Sequence, residues 1–130
     1  METSSVNDII TVNRTYINNE SGALIKGILT NENLFTPLGE IYYSYVNAGV
    51  TKGWKYHKEM YLRLQCLSGR VLFQFEDFNG DSLEIILEIE NQKIIIVPPK
   101  IKFAFKGLDE TNLIVNYASM IHNENEVVRL

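Results

Sequence analysis

The sequence predicts an all-β domain of the sandwich or small-barrel type, and three observations lead to it. Apolar residues come in short runs rich in Ile, Val, Tyr and Phe, and no run keeps helical spacing for a useful length. Turn-forming residues interrupt these runs at intervals of about ten residues, the rhythm of small antiparallel β folds. Two neighbouring runs also alternate. Leu62, Leu64 and Cys66 share one face of their strand, and Val71, Phe73 and Phe75 share one face of the next.

Taken in order, strands are expected at 8–13, 23–29, 39–47, 51–58, 61–67, 70–77, 82–88, 93–97, 102–106 and 111–118. Ser68-Gly69 and Asn79-Gly80-Asp81 supply residues that tolerate a positive φ, and Pro98-Pro99 ends a strand by removing two donors. The last ten residues, Ile121 to Leu130, are mostly polar and are expected to lie across the surface. The 130 residues suit a single domain over 1–130, with 1–7 expected to be flexible.

Composition narrows the partners. A formal net charge of −4 argues against an electrostatic nucleic-acid binder. No apolar run approaches the roughly 18 residues of a membrane-spanning helix, and Met-Glu-Thr-Ser-Ser lacks the features of a signal peptide. A lone Cys66 has no internal disulfide partner, so the chain reads as cytoplasmic.

The one chemically loaded stretch runs from Lys52 to His57. Five residues separate Gly49 from Lys55, Tyr56 and His57 follow, four more precede Leu62, and six more precede Gly69. That is the spacing of the first cupin motif: a glycine, two histidines two apart, a glutamate and a second glycine. Residues at i and i+2 of one strand point into the same barrel, and the glutamate arrives from the neighbouring strand. In metal-binding cupins these side chains and a later histidine hold a divalent ion. Here Lys55, Leu62 and Phe103 stand at three of the four ligand positions, and only His57 remains. An ammonium beside one imidazole offers a single lone pair and repels a cation, so neither a metal nor any other cofactor is expected.

The wording of four segments then resembles the metal-independent sugar-nucleotide cupins. These are Phe35-Thr-Pro-Leu-Gly-Glu-Ile-Tyr-Tyr-Ser44, Gly49-Val-Thr-Lys-Gly-Trp-Lys-Tyr-His-Lys58, Ile96-Val-Pro-Pro-Lys-Ile-Lys-Phe-Ala-Phe-Lys-Gly-Leu108 and His122-Asn-Glu-Asn-Glu-Val-Val-Arg129. In order and distance they resemble the dTDP-4-dehydrorhamnose 3,5-epimerase family, especially its short divergent members, over roughly residues 25–130. The resemblance implies a cupin jelly roll (a double-stranded β-helix) and a homodimer. It also implies a deep pocket for a nucleotide-diphosphate 4-keto-6-deoxy sugar, used in surface-polysaccharide biosynthesis. The 4-ketone acidifies neighbouring C–H bonds, so positioned acid, base and enolate stabilisation suffice for isomerisation.

Carried over by position, the resemblance places the family's phosphate-binding arginine at Lys52 and its catalytic histidine at Lys55. Its catalytic lysine falls at Leu62, its tyrosine acid at Val115, and the aspartate that orients its histidine beyond Leu130. His57, with an imidazole suited to proton transfer, is the expected acid/base group, and Lys55 its charged partner. Tyr117, of the same strand parity as Val115, is the expected acid, while Lys52, Ser44 and Tyr42 are expected to bind substrate. The 3,4-ketoisomerases acting on dTDP-4-keto-6-deoxyglucose carry His-x-His where this chain has Lys55-Tyr56-His57, so epimerisation and ketoisomerisation both stay open. So does a non-catalytic sugar-nucleotide-binding module. Arg63, alternating with inward Leu62 and Leu64, is expected outside the pocket. The tyrosine-rich strand at 41–45 is a candidate for a dimer surface.

Overall fold

The computed structural model describes residues 4–130. It forms two facing five-stranded antiparallel sheets and a separate hairpin. The strands are β1 (Ile10–Asn13), β2 (Tyr16–Asn19), β3 (Gly22–Ile25), β4 (Glu40–Tyr45), β5 (Thr51–His57) and β6 (Leu62–Ser68). They continue with β7 (Arg70–Glu76), β8 (Ser82–Glu88), β9 (Lys93–Val97), β10 (Lys102–Gly107), β11 (Leu113–Ala118) and β12 (Val127–Arg129). One sheet runs β1-β9-β6-β11-β4 and the other β12-β5-β10-β7-β8, while β2 and β3 pair only with each other. This is the all-β jelly roll that the sequence predicts.

The core lies between the sheets, where the alternating residues meet. Leu62, Leu64 and Cys66 from β6 pack with Val71, Phe73 and Phe75 from β7, and Ile95, Val97, Phe103 and Ile114 complete the cluster. The corner joining β6 to β7 requires a glycine. Gly69 has φ of 75°, and a Cβ there would meet the Thr111 carbonyl oxygen at 2.2 Å. Gly53, at φ of 124°, lets β5 pass against β10, since a Cβ would lie 2.7 Å from the Ala104 Cα. Burial pushes the Cys66 thiol up to about 11, so it packs as a small apolar residue.

Three expectations change. Strand β2 is additional to the strands expected, and the strand expected at 23–29 is β3, which ends at Ile25. The segment 1–7, expected to be flexible, includes a capped turn: Ser5 caps a 3-10 turn over Val6–Asp8, and the buried Val6 donates its N–H to Asp77 Oδ2 at 3.0 Å. Residues 1–3 lie outside the described residues. The tail does not simply lie across the surface. Asn123 caps a second 3-10 turn, after which β12 adds to the edge of β5, with Glu126 and Val127 buried.

Arg63 lies outside the pocket, as the alternation implies, and it is 1% exposed. Its guanidinium donates to the carbonyls of Tyr117 at 2.7 Å, Leu34 at 3.2 Å and Pro37 at 2.6 Å. The outer face of β6 is covered by the segment leading into β4 instead of by water. Gln65, two residues on, is likewise buried and bonded to the Lys26 carbonyl and to Gln92.

Candidate active site

The mouth between the sheets is built on β5, whose inward side chains follow its alternation. Lys55 and His57 point into one cavity with Tyr42 and Ser44 from β4, Leu62 and Leu64 from β6, and Asn116 from β11. Phe73, Phe103 and Phe105 line the same recess. The His57 ring stacks on Phe103 with centroids 6.0 Å apart, and Lys55 Nζ lies 5.7 Å from the centre of that ring. Phe103, expected from the motif spacing to replace a metal-ligating histidine, supplies an apolar platform here. Among the described residues no three His, Cys, Asp or Glu side chains gather as metal ligands.

The inner recess is small, about 50 Å³. It opens into a cleft of about 270 Å³ bounded by Glu40, Tyr42, Lys55, His57 and His122. A third depression, of about 390 Å³, adjoins at Lys55 and carries Lys52, Trp54 and Arg129. Phosphate-sized anions would meet cations there, while the recess admits only the reacting end of a ligand.

The decisive contact comes from the tail. The buried carboxylate of Glu126 hydrogen-bonds Nδ1 of His57, and β12 pairs Val127 with His57 to hold the two together. Glu126 also accepts the N–H groups of Glu59 at 3.2 Å and Met60 at 3.3 Å. Burial raises the carboxyl's affinity for a proton, but the bonds from His57 and the two backbone N–H groups outweigh it and hold Glu126 below its usual range. For His57 burial wins over the attraction of Glu126, and its pKa falls below the ordinary value. The pair therefore rests as a neutral imidazole and a carboxylate, with Nδ1–H donating to Glu126. That leaves the Nε2 lone pair, which has no protein partner among the described residues, as a base.

Both shifts have one sign for stability. Each group binds fewer protons folded than unfolded, so acidification favours unfolding. Stability is expected to fall as pH drops below 6.5 and to fall further through and below 4.5, the reference values from which His57 and Glu126 are lowered. Urea unfolding as a function of pH checks this, and Glu126→Gln should flatten the lower part of the curve.

Burial also lowers the pKa of Lys55, reinforced by Arg129 and Lys52 and opposed by Glu124. Tyr42 donates to Met60 Sδ at 3.8 Å and accepts from Asn116 Nδ2 at 2.8 Å, and burial raises its pKa.

The expected site residues divide into three groups. Lys55, His57, Ser44 and Tyr42 converge on the cavity. Lys52 lies outside it, exposed, with Nζ donating to the Tyr45 carbonyl at 2.7 Å and its stem in the adjoining depression. Tyr117 is a correction. On β11 it is Ile114 and Asn116 that line the cavity, so Tyr117 projects from the opposite face and donates its hydroxyl to Gln65 Oε1 at 2.8 Å. It packs with Phe35, Ile94 and Ile96 in a second apolar cluster, remote from His57. Tyr117→Phe should therefore leave the cavity intact and cost about 1 kcal/mol of stability, read by chemical denaturation.

Glu126 is the functional candidate that sequence reasoning missed. The orienting aspartate is expected beyond Leu130, yet a carboxylate inside the tail meets His57. The signal was Val127-Val128, a β-branched pair able to form a short edge strand.

No family model and no curated protein sequence matches the chain. Solved structures do. A dTDP sugar isomerase from Desulfovibrio desulfuricans G20 superposes with a TM-score of 0.91 at 22% identity, over 96% of this chain and 85% of that one. A 3,4-ketoisomerase from Helicobacter canadensis gives 0.80 at 24% identity, over 95% and 91%. A dTDP-4-dehydrorhamnose 3,5-epimerase from Sulfolobus tokodaii gives 0.82 at 17% identity, over 99% and 81%. The chain shares their fold.

Proposed function

We propose that the protein is an isomerase of a nucleotide-diphosphate 4-keto-6-deoxy sugar, moving a proton at the carbon beside the ketone. The observation that carries this reading is the convergence of His57 and Lys55 on one recess, with buried Glu126 holding His57 Nδ1. Glu126 fixes the tautomer in which Nε2 is unprotonated, so His57 removes the C–H proton. The electron pair passes to the ketone oxygen, where the Lys55 ammonium meets the developing enolate charge. Delivery of a proton from solvent to the opposite face of the same carbon gives an epimer; return of the proton to the former ketone carbon, with the hydroxyl proton of the neighbouring carbon passing to the former ketone oxygen, gives a ketoisomer. Tyr42 and Ser44 offer hydroxyls to the sugar. Lys52 and Arg129 face the diphosphate as cations.

The sugar isomerases and epimerases that share the fold support this reading, one of them having been solved with TDP-4-keto-6-deoxyglucose bound. Incubation with dTDP-4-keto-6-deoxyglucose, followed by NMR of the sugar, tests the reading. A new epimer or 3-ketosugar is expected. Stabilisation by dTDP with no product would favour a binding module instead.

The same reading places the reaction in the cytoplasm, in keeping with a lone, buried Cys66. Among the described residues no helix is long and apolar enough to cross a membrane. It also includes a homodimer. On the edge strand β4, Ile41, Tyr43 and Tyr45 alternate outward with exposures of 42%, 63% and 67%. Three large apolar side chains on one open edge suit a self-complementary contact, which light scattering coupled to gel filtration checks.

A further inference from the structure

The cleft above the recess holds a second imidazole that the mechanism above leaves idle. His122 lies in the tail and lines this cleft together with His57, Lys55, Tyr42 and Glu40. Its ring is held much as that of His57 is held: Nε2 meets Glu124 Oε1 at 2.8 Å, and Glu124 is fixed in turn by Arg129 Nη2 at 2.9 Å. Its backbone is anchored by a bond from its N–H to Glu40 Oε1 at 2.9 Å. One short tail thus carries both carboxylates, Glu124 and Glu126, and each orients an imidazole toward the same cleft. The two histidines differ in access. His57 is 3% exposed at the floor, whereas the His122 side chain is 38% exposed at the mouth.

We propose that His122 is a second catalytic residue, which carries the oxygen-bound proton of a ketoisomerisation while His57 carries the carbon-bound one. The proposal rests on the isomerase reading and deepens it. The steps balance without any outside oxidant. His57 Nε2 takes the proton from the carbon beside the ketone, the C–H electron pair forms a carbon–carbon double bond, and the carbonyl pair moves to oxygen. Protonated His122 gives its proton to that oxygen, leaving a neutral enediol. His122 then takes the proton from the hydroxyl of the neighbouring carbon. A carbonyl forms there, the double bond collects the proton held by His57 at the former ketone carbon, and both imidazoles return to their starting states.

Epimerisation needs no such oxygen-to-oxygen transfer. The other groups at the mouth suit it less well: a phenol such as Tyr42 gives up its proton only at high pH, and Lys55 is placed against the aromatic floor to meet the enolate charge. An imidazole both gives and takes a proton near neutral pH.

The test compares wild type with His122→Asn in D2O, using dTDP-4-keto-6-deoxyglucose and following both deuterium entry at the carbon beside the ketone and formation of the 3-ketosugar. The expected result is a split. Deuterium entry stays close to the wild-type rate, while product formation falls by about 10²-fold or more. Product at the wild-type rate, or parallel loss of exchange and product in a folded variant, would overturn the proposal. Should His122→Asn unfold, Glu124→Gln is measured instead and must show the same split in a weaker form. A wild-type enzyme giving neither exchange nor product fails the isomerase reading itself, a different outcome from wild-type turnover that His122→Asn leaves intact.

Discussion

Glu126→Gln should lower turnover by about 10²- to 10⁴-fold while leaving the fold intact. The amide is nearly isosteric with the carboxylate, and its oxygen can still accept the N–H groups of Glu59 and Met60. What changes is the atom offered to His57. If the carbonyl oxygen serves the backbone, the amide nitrogen faces Nδ1, and the ring must then accept at Nδ1 and carry its proton on Nε2. The base would be capped by its own proton. Loss of the negative charge also removes what stabilises the imidazolium after proton abstraction. Steady-state kinetics beside a thermal melt separates these effects: kcat falls and the melting temperature moves little. A variant with wild-type kcat would show that the buried pair is only structural.

The second large effect is on stability. Arg63→Met should destabilise the protein by about 3–5 kcal/mol, because three carbonyls lose their buried donor at once. Leu34, Pro37 and Tyr117 accept from this one guanidinium, which ties the covering segment to the back of β6. Methionine fills much of the volume and satisfies none of these oxygens. For a chain of 130 residues the loss corresponds to a melting temperature lower by roughly 10–20 °C. Calorimetry of the two proteins checks it, and a change below about 1 kcal/mol would mean that water replaces the guanidinium.

These two residues also mark where the sequence was legible and where it was not. Alternation along Leu62–Cys66 and Val71–Phe75 identified the inward faces, because the sheets bury one side chain in two between them. The same alternation says nothing about what covers the other face. Arg63 and Gln65 are polar residues on that face, and they are buried because residues 26–39 fold over them. On β11 the pattern had even less to offer. Leu113-Ile114-Val115-Asn116-Tyr117-Ala118 is largely apolar on both faces, and the register to β6 shifts between Leu113 and Ile114. Parity carried from Val115 therefore placed Tyr117 on the wrong side.

The loaded strand was more readable. His57 and Lys55 sit two apart on β5, and that spacing alone puts both on one face. Ser44 and Tyr42 follow the same rule on β4 and reach the same cavity. Lys52 lies further along β5, beyond Gly53, and its Nζ turns to the Tyr45 carbonyl, so it falls outside the recess. The His57–Glu126 contact spans 69 residues of sequence, a distance over which no local pattern reports. It becomes visible only when β12 is laid against β5.

The central claim is that His57, oriented by Glu126, exchanges a carbon-bound proton beside a ketone. The most direct test is deuterium entry into dTDP-4-keto-6-deoxyglucose in D2O, compared between wild type and His57→Asn. The account predicts enzyme-dependent deuterium at the carbon next to the ketone with wild type, and none above background with His57→Asn. Equal deuterium entry with both proteins, or none with a wild-type protein that binds the sugar nucleotide, would contradict it.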